Sequence, residues 1–536
     1  MKKSLSKKCS IGIISTILVA SFACLITLVV KQNKTSDRID EALNELKINE
    51  GMYDTKSIVL TNTNKTKAED IAKRLNAKLR INESGTYATL TLPENVDVKS
   101  IYENKENIDL LDDFSLNMYA KTSEIEEVTK EHLPSRPSYY DTINDDSYNK
   151  QTYLDYLNMK YTWNSYMGDS VTVAIIDTGI DTDHSEFVGK ISEYSYNATE
   201  DKIIKDYKDS NGNYDYSLIE DEVGHGTAVA GVIASSFNGT GIVGIAPNVN
   251  LLVIKAECAP NVQFYRSSDL VFGLYYAIER NVDVVNMSFG GGSNVYKDAA
   301  KLAVDNDIIC VAAAGNEATS SLTYPAADEN VIGVGALANG SYELASYSNF
   351  GENTDLVAPG TVYTTSLNNS YKIMDGTSFA SPIVAASIAL LRQQNYKMKF
   401  KDVCELLYAS SYDLGSKGKD YYYGYGALDL SALLLEERGT VTFDTLTDEV
   451  DDIKKVFIRN HTLQDIPEVE RNYAVFDGWY YDVNLIDELN YYNDIFSSDL
   501  TLYALWGNED DVVPYTYVTL PDNTIEIRSY TGHRRY

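Results

Sequence analysis

Five nearly continuous apolar runs constrain this chain more than any other feature. They read VTVAIID (171–177), NLLVIKA (250–256), VDVVNMS (282–288), IICVAAA (308–314) and VIGVGA (331–336). Helical stretches separate them, among them SDLVFGLYYAIER (268–280) and YKDAAKLAVDN (296–306). A strand that is apolar on both faces must be covered on both faces, so the pattern predicts an α/β fold, a mostly parallel sheet with helices on either side. The 536 residues leave room for further domains.

The flanks read differently. Ser57 to Phe114 alternates strand and helix: strands at 57–60, 86–92 and 108–114, an amphipathic helix over 67–79 and a short one over 96–104. That order predicts a small split β-α-β domain of α+β type over 57–120. Residues 121–143 are polar with Pro134 and Pro137 and read as a linker before the α/β region at 144–437. From 439 to 506 short strands rich in aromatics predict a small β module, and an acidic tail occupies 507–536.

Ile11 to Val30 is a run of twenty residues without a charge, preceded by Lys2, Lys3, Lys7 and Lys8. Twenty apolar residues suffice to cross a bilayer, and the lysines keep residues 1–10 in the cytoplasm. The reading is a signal anchor over 11–30 and a stalk over 31–56, with the remainder at a cell surface. A cleaved signal peptide at Ser21-Phe22-Ala23 is the rival, although such apolar segments usually run about 7–15 residues. A net charge of −32 excludes nucleic acid as a partner, because phosphates would be repelled. Five scattered cysteines exclude a disulfide framework and point to a bacterial exported chain. None of the five histidines forms an H-E-x-x-H pair, which excludes that zinc chemistry.

Three motifs in the α/β region carry chemistry. Asp177-Thr178-Gly179 ends a buried strand, Gly224-His225-Gly226-Thr227 opens a helix, and Gly376-Thr377-Ser378 opens another, with Pro382 expected in its first turn. Open α/β sheets gather their sites at the carboxyl ends of strands, so the three can meet. An Asp, a His and a Ser brought together activate the hydroxyl for acyl transfer, the imidazole acting only while neutral. Ser378 at a helix N-terminus, with Asn316 in Ala313-Ala314-Gly315-Asn316, offers N–H groups to an oxyanion.

In this order the motifs resemble the subtilisin-like serine proteases (subtilases, peptidase S8 family), over roughly 144–435. The resemblance implies that Asp177 orients the base, His225 is general base and acid, Ser378 is the nucleophile and Asn316 the side-chain oxyanion donor. It further implies that Ser288, Phe289 and Gly290 pair with the backbone of a peptide or protein substrate. Glu317, at the rim of the expected specificity pocket, suggests a basic or polar residue before the cut. No cofactor is expected for catalysis; a structural calcium is expected, with Glu186 and Asn238 at ligand positions. Residues 57–120 stand where relatives carry a prodomain that acts as inhibitor, implying self-cleavage between about Tyr119 and Tyr140. Residues 439–506 resemble the internalin-type repeats of bacterial surface proteins, with Trp479, Tyr480 and Trp506 as core. The alternative from another class is a surface adhesion or scaffolding protein whose protease-like domain no longer turns over.

Overall fold

The computed structural model describes residues 42–122, 143–256, 264–458 and 461–508 apart from short breaks, together with 516–519 and 525–528. The expected membrane span at 11–30 lies outside these residues, as do Cys258 and most of the expected linker. Among the described residues no helix is long and apolar enough to cross a membrane. The chain divides into two compact units, residues 1–119 with 266–268, and 120–265 with 269–536.

The first unit is built on the strands β1 (Tyr53–Leu60), β2 (Lys78–Ile81), β3 (Ala88–Thr91) and β4 (Phe114–Thr122), with helices α1 (Lys65–Leu75) and α2 (Val98–Glu103). The strands are antiparallel in the order β4-β1-β3-β2. Ile58, Leu60, Leu90 and Leu116 meet Ile71 and Leu75 of α1 and Val98 of α2 in one core. Two expectations need correction. The helix expected to reach residue 79 stops at Leu75, where Asn76 turns left-handed (φ 51°) and releases the chain into β2. The expected strand at 108–114 is a 3₁₀ turn, Leu111–Asp113, and β4 begins only at Phe114 and runs into the expected linker as far as Thr122.

The second unit contains the α/β sheet. Its parallel strands are β5 (Thr172–Asp177), β6 (Asn250–Lys255), β7 (Val284–Met287), β9 (Ile309–Ala313), β10 (Ile332–Leu337) and β11 (Leu356–Pro359), with the two-residue β8 (Phe289–Gly290) following β7. They lie in the order β11-β10-β9-β7-β5-β6, and two short strands, Tyr196–Asn197 and Lys202–Ile203, extend the β6 edge. Helices α3 (His225–Ala234), α4 (Ser267–Glu279), α5 (Lys297–Asp305) and α6 (Thr377–Gln394) connect or cover the strands, and the hairpin β12 (Thr361–Ser366) and β13 (Ser370–Asp375) precedes α6.

The two-faced apolar runs are used as expected. Ile175 and Val253 share a core with Ile383 and Leu390 of α6. Their neighbours Ile176 and Ile254 face the other way, toward Gly273 of α4, where a Cβ would lie 2.9 Å from Ile254 Cγ2. From β5 the chain moves to β6 on one side and then to β7 on the other. That reversal opens a crevice at the carboxyl ends of β5 and β7.

The C-terminal strands β14 (Arg438–Asp444), β15 (Ile453–Ile458), β16 (Ala474–Tyr480) and β17 (Leu500–Asn508) form a separate sheet in the order β15-β14-β17-β16. Trp479 and Tyr480 are buried, and Trp479 packs with Val441, Phe443 and Leu502 against a partly buried Trp506. Both indoles are tied inward, Trp479 Nε1 donating to the Pro467 carbonyl and Trp506 Nε1 to that of Thr445, each at 2.7 Å. The expected tail is not featureless: Thr516–Thr519 and Ile525–Arg528 pair as a hairpin.

Candidate active site

Asp177 is the last residue of β5 and His225 the first of α3, and two glycines let them approach. Gly179 has φ 117°, and a Cβ there would sit 2.4 Å from the Ile219 carbonyl oxygen. A Cβ on Gly226 would lie 2.2 Å from the Gly179 carbonyl, so only glycine at both positions lets the helix start close on the turn. Thr178 Oγ1 accepts from Gly226 N at 2.9 Å and locks the two motifs together. His225 Nδ1 then lies 2.7 Å from Asp177 Oδ1, both side chains being fully buried. A carboxylate only accepts, so Nδ1 carries the proton and the lone pair of Nε2 is left available. Nε2 is buried and makes no hydrogen bond among the described residues.

The preceding loop is held by a residue that the sequence reading passed over. Asp221 Oδ1 accepts from Val223 N and Gly224 N, and Oδ2 from Thr227 N and Thr227 Oγ1. An Asp shortly before a helix with Thr in its first turn is a capping signal that could have identified it. Tyr265 is a second omission: its buried hydroxyl lies 3.3 Å from Asp177 Oδ1, a contact across 88 residues that no local pattern announces.

Ser378 is the second residue of α6, whose start is set by Gly376 at φ 145°. Its Oγ donates to the Ser288 carbonyl at 3.1 Å, so in this structure the hydroxyl points at the strand and not at His225 Nε2. In return Ser288 Oγ donates to the Ser378 carbonyl at 2.8 Å. The reason is Pro382. It is the sixth residue of α6, beyond the expected first turn, and lacks the N–H that would otherwise bond the carbonyl four residues back. Asn286 Nδ2 holds Ser288 Oγ at 2.9 Å, and Asn286 Oδ1 accepts from Ser381 Oγ at 2.9 Å, so the end of β7 is fastened to α6.

Asn316 follows β9. Its Oδ1 accepts from Thr377 N at 2.9 Å and Thr377 Oγ1 at 2.8 Å, which directs Nδ2 away from the helix. The Cβ position of Gly376 is 3.1 Å from that Nδ2 and 3.7 Å from Ser378 N, so two N–H donors border one small space at the start of α6. Phe289 and Gly290 of β8 are already paired, antiparallel, with Thr122 and Lys121 of the chain itself. The edge expected to receive substrate thus does accept an extended strand.

The residues expected near calcium are brought together, but with their own hydrogen bonds. Glu186 is buried; its Oε1 accepts from Ile242 N and Tyr371 Oη, and its Oε2 from Ser236 N. Asn238 Oδ1 accepts from Thr240 N and Thr240 Oγ1 within its loop. Asp145, not singled out in the sequence, accepts through Oδ1 from Asn238 N and Gly239 N, while its buried Oδ2 has no donor among the described residues. A buried carboxylate oxygen of this kind is a hard donor of the type calcium takes. Among the described residues, no three acidic, His or Cys side chains converge as a metal cluster.

A family model described as the subtilase family, peptidase S8, matches residues 168–426. Subtilisin DY of Bacillus licheniformis is 37% identical over 279 residues, which covers 50% of this chain and 92% of that protein. The chain belongs to the subtilase family. As a subtilase it is a serine endopeptidase. An intracellular serine protease of Paenibacillus polymyxa is also 37% identical, over 53% of this chain and 85% of its own length. The minor extracellular protease Epr of Bacillus subtilis is 34% identical, over 53% of this chain and 41% of its own length. The fold is shared with fervidolysin of Fervidobacterium pennivorans, a keratinolytic enzyme related to subtilisin, at TM-score 0.63 and 20% identity, covering 91% of this chain and 85% of that one.

Proposed function

We propose that this subtilase hydrolyses peptide bonds through an acyl-enzyme on Ser378, with Asp177 and His225 as its base system. The observation that carries the reading is the buried 2.7 Å contact between Asp177 and His225 at the switch-point crevice, beside the helix whose first turn carries Ser378. Rotation about the Ser378 Cα–Cβ bond frees Oγ from the Ser288 carbonyl. His225 Nε2 takes the Oγ proton as Oγ bonds to the substrate carbonyl carbon. Asn316 Nδ2 and Ser378 N donate to the oxyanion that forms. The imidazolium returns the proton to the leaving amine, and water repeats the sequence in reverse to release the acid.

We further propose that residues 57–120 act as an inhibitory prodomain. The register of Lys121 on Gly290 and Thr122 on Phe289 supports a cut in the peptide bonds just beyond Thr122. The apolar run at 11–30, with its preceding lysines, supports an extracytoplasmic enzyme held at a bacterial membrane. The names of the relatives include both intracellular and extracellular proteases, so this placement rests on the run alone. A structural calcium would be held by Asp145, Glu186 and Asn238 with carbonyls of the 236–241 loop. The internalin-type module remains part of the proposal as a surface-presented appendage.

The test is expression of the full chain beside Ser378→Ala, with each fractionated into membrane and soluble material. The wild type is expected to lose its N-terminal segment by a cut beyond Thr122 and to hydrolyse casein. The variant is expected to stay full-length, membrane-associated and inactive. A variant processed like the wild type without another protease present contradicts self-cleavage, and a folded wild type without hydrolysis returns the adhesive reading.

A further inference from the structure

We infer that Tyr265 is a positioning residue for the base system: its hydroxyl fixes the Asp177 carboxylate that in turn holds His225. This role deepens the active-site reading above and rests on it.

Three donors converge on one oxygen of that carboxylate. Asp177 Oδ1 accepts from Thr178 N at 2.7 Å and from Tyr265 Oη at 3.3 Å, and lies 2.7 Å from His225 Nδ1. Thr178 is the next residue in the chain, so its N–H ties the carboxylate only to its own strand end. Tyr265 arrives from 88 residues away and registers the carboxylate against another part of the fold. A carboxylate accepts and does not donate, so the hydroxyl hydrogen points at Oδ1. Among the described residues, Tyr265 and His225 are the two side chains that reach Asp177.

The ring that carries the hydroxyl is held by packing. Tyr265 is buried and meets Phe289 with ring centroids 5.7 Å apart, and Phe289 meets Tyr296 at 6.1 Å. Phe289 and Tyr296 are buried as well, so the stack leaves the phenol little freedom and presents its hydroxyl at one point.

The charged groups that flank the pair have other partners. Lys255, opposite Asp177 in the register of β5 and β6, donates from Nζ to the Glu220 carbonyl at 2.6 Å. Asp221 accepts from Val223 N, Gly224 N and Thr227 N, Asp181 from Asn369 N, and Glu220 from the Thr182 hydroxyl. Neither β7 nor α6 before Arg392 carries a charge.

Two consequences follow from removing the hydroxyl alone. The carboxylate turns more freely about its Cβ–Cγ bond, and His225 Nε2 is less often aimed at Ser378. The carboxylate also faces the imidazolium with more of its charge, so His225 keeps its proton to higher pH and becomes a base later.

The test compares processed wild type, Tyr265→Phe and Tyr296→Phe, with competent sites counted by fluorophosphonate titration. Per titrated site, Tyr265→Phe is expected to hydrolyse casein about three- to tenfold more slowly at alkaline pH. Its rate of reaction with the fluorophosphonate is expected to reach half-maximum about half a pH unit above the wild type. Tyr296→Phe removes a hydroxyl from the same stack, one with no hydrogen-bond partner among the described residues, and is expected to match the wild type. A Tyr265→Phe enzyme with the wild-type rate per site and an unmoved profile overturns the inference. So does a loss confined to the number of titratable sites, which marks a folding role, or a shift that Tyr296→Phe shares. A wild type that neither cuts casein nor reacts with the fluorophosphonate overturns the protease reading itself, and this role with it.

Discussion

Glu186 shows what one buried carboxylate does to this molecule. Burial pushes its pKa from 4.5 up to about 6, against the lowering effect of its bonds to Tyr371, Ile242 and Ser236, and the nearby Asp145 adds to the rise. A raised acid binds its proton more tightly in the folded state, so its contribution to stability is largest below pH 4.5 and is lost as pH rises toward 6. A cation beside Asp145 and Glu186 reverses that loss by favouring both ionised forms. In chelator, the melting temperature of the wild type is therefore expected to fall relative to Glu186→Gln between pH 4.5 and 6, and added calcium is expected to raise the wild type at pH 7. Parallel pH curves for the two proteins, or no response to calcium, would contradict this account of the loop. The glutamate and Asn238 could be picked out in the sequence. Asp145 could not, because its partners lie 93 and 94 residues away.

At the scale of elements, the helix that carries Ser378 depends on a side chain from the end of a strand. Pro382 deprives the Ser378 carbonyl of its helical donor, and Ser288 Oγ replaces it. Ser288→Ala is expected to leave that buried carbonyl unbonded, at a cost of about 1–3 kcal/mol, and to lower the melting temperature by several degrees. An unchanged melting temperature would mean the bond is dispensable. The strands, the starts of α3 and α6, and the motifs at their ends were legible because two-faced apolar runs and glycine-bounded turns are local patterns. The ends of α1 and β4 were less so: a left-handed Asn76 and a 3₁₀ turn at Leu111–Asp113 are set by packing into the core, not by hydrophobic periodicity. Tyr265 on Asp177 is a contact between segments distant in sequence, and only folding reveals it.

At the scale of the whole molecule, the strand order places chemistry in one crevice. Because the chain turns from β6 back across β5 to β7, the residues after β5, β7 and β9 converge, and α3 and α6 both start there. Asp177, Ser288 and Asn316 come from those strand ends, and His225 and Ser378 from those helix starts. The proposed mechanism requires an alcohol activated by an imidazole that a buried carboxylate holds in register. The most direct measurement is mass spectrometry of the full-length chain and its processed form after reaction with a fluorophosphonate. The account predicts one adduct on the peptide carrying Ser378, absent in Ser378→Ala and strongly slowed in His225→Ala. An adduct on another residue, or one that forms at the wild-type rate without His225, would contradict it.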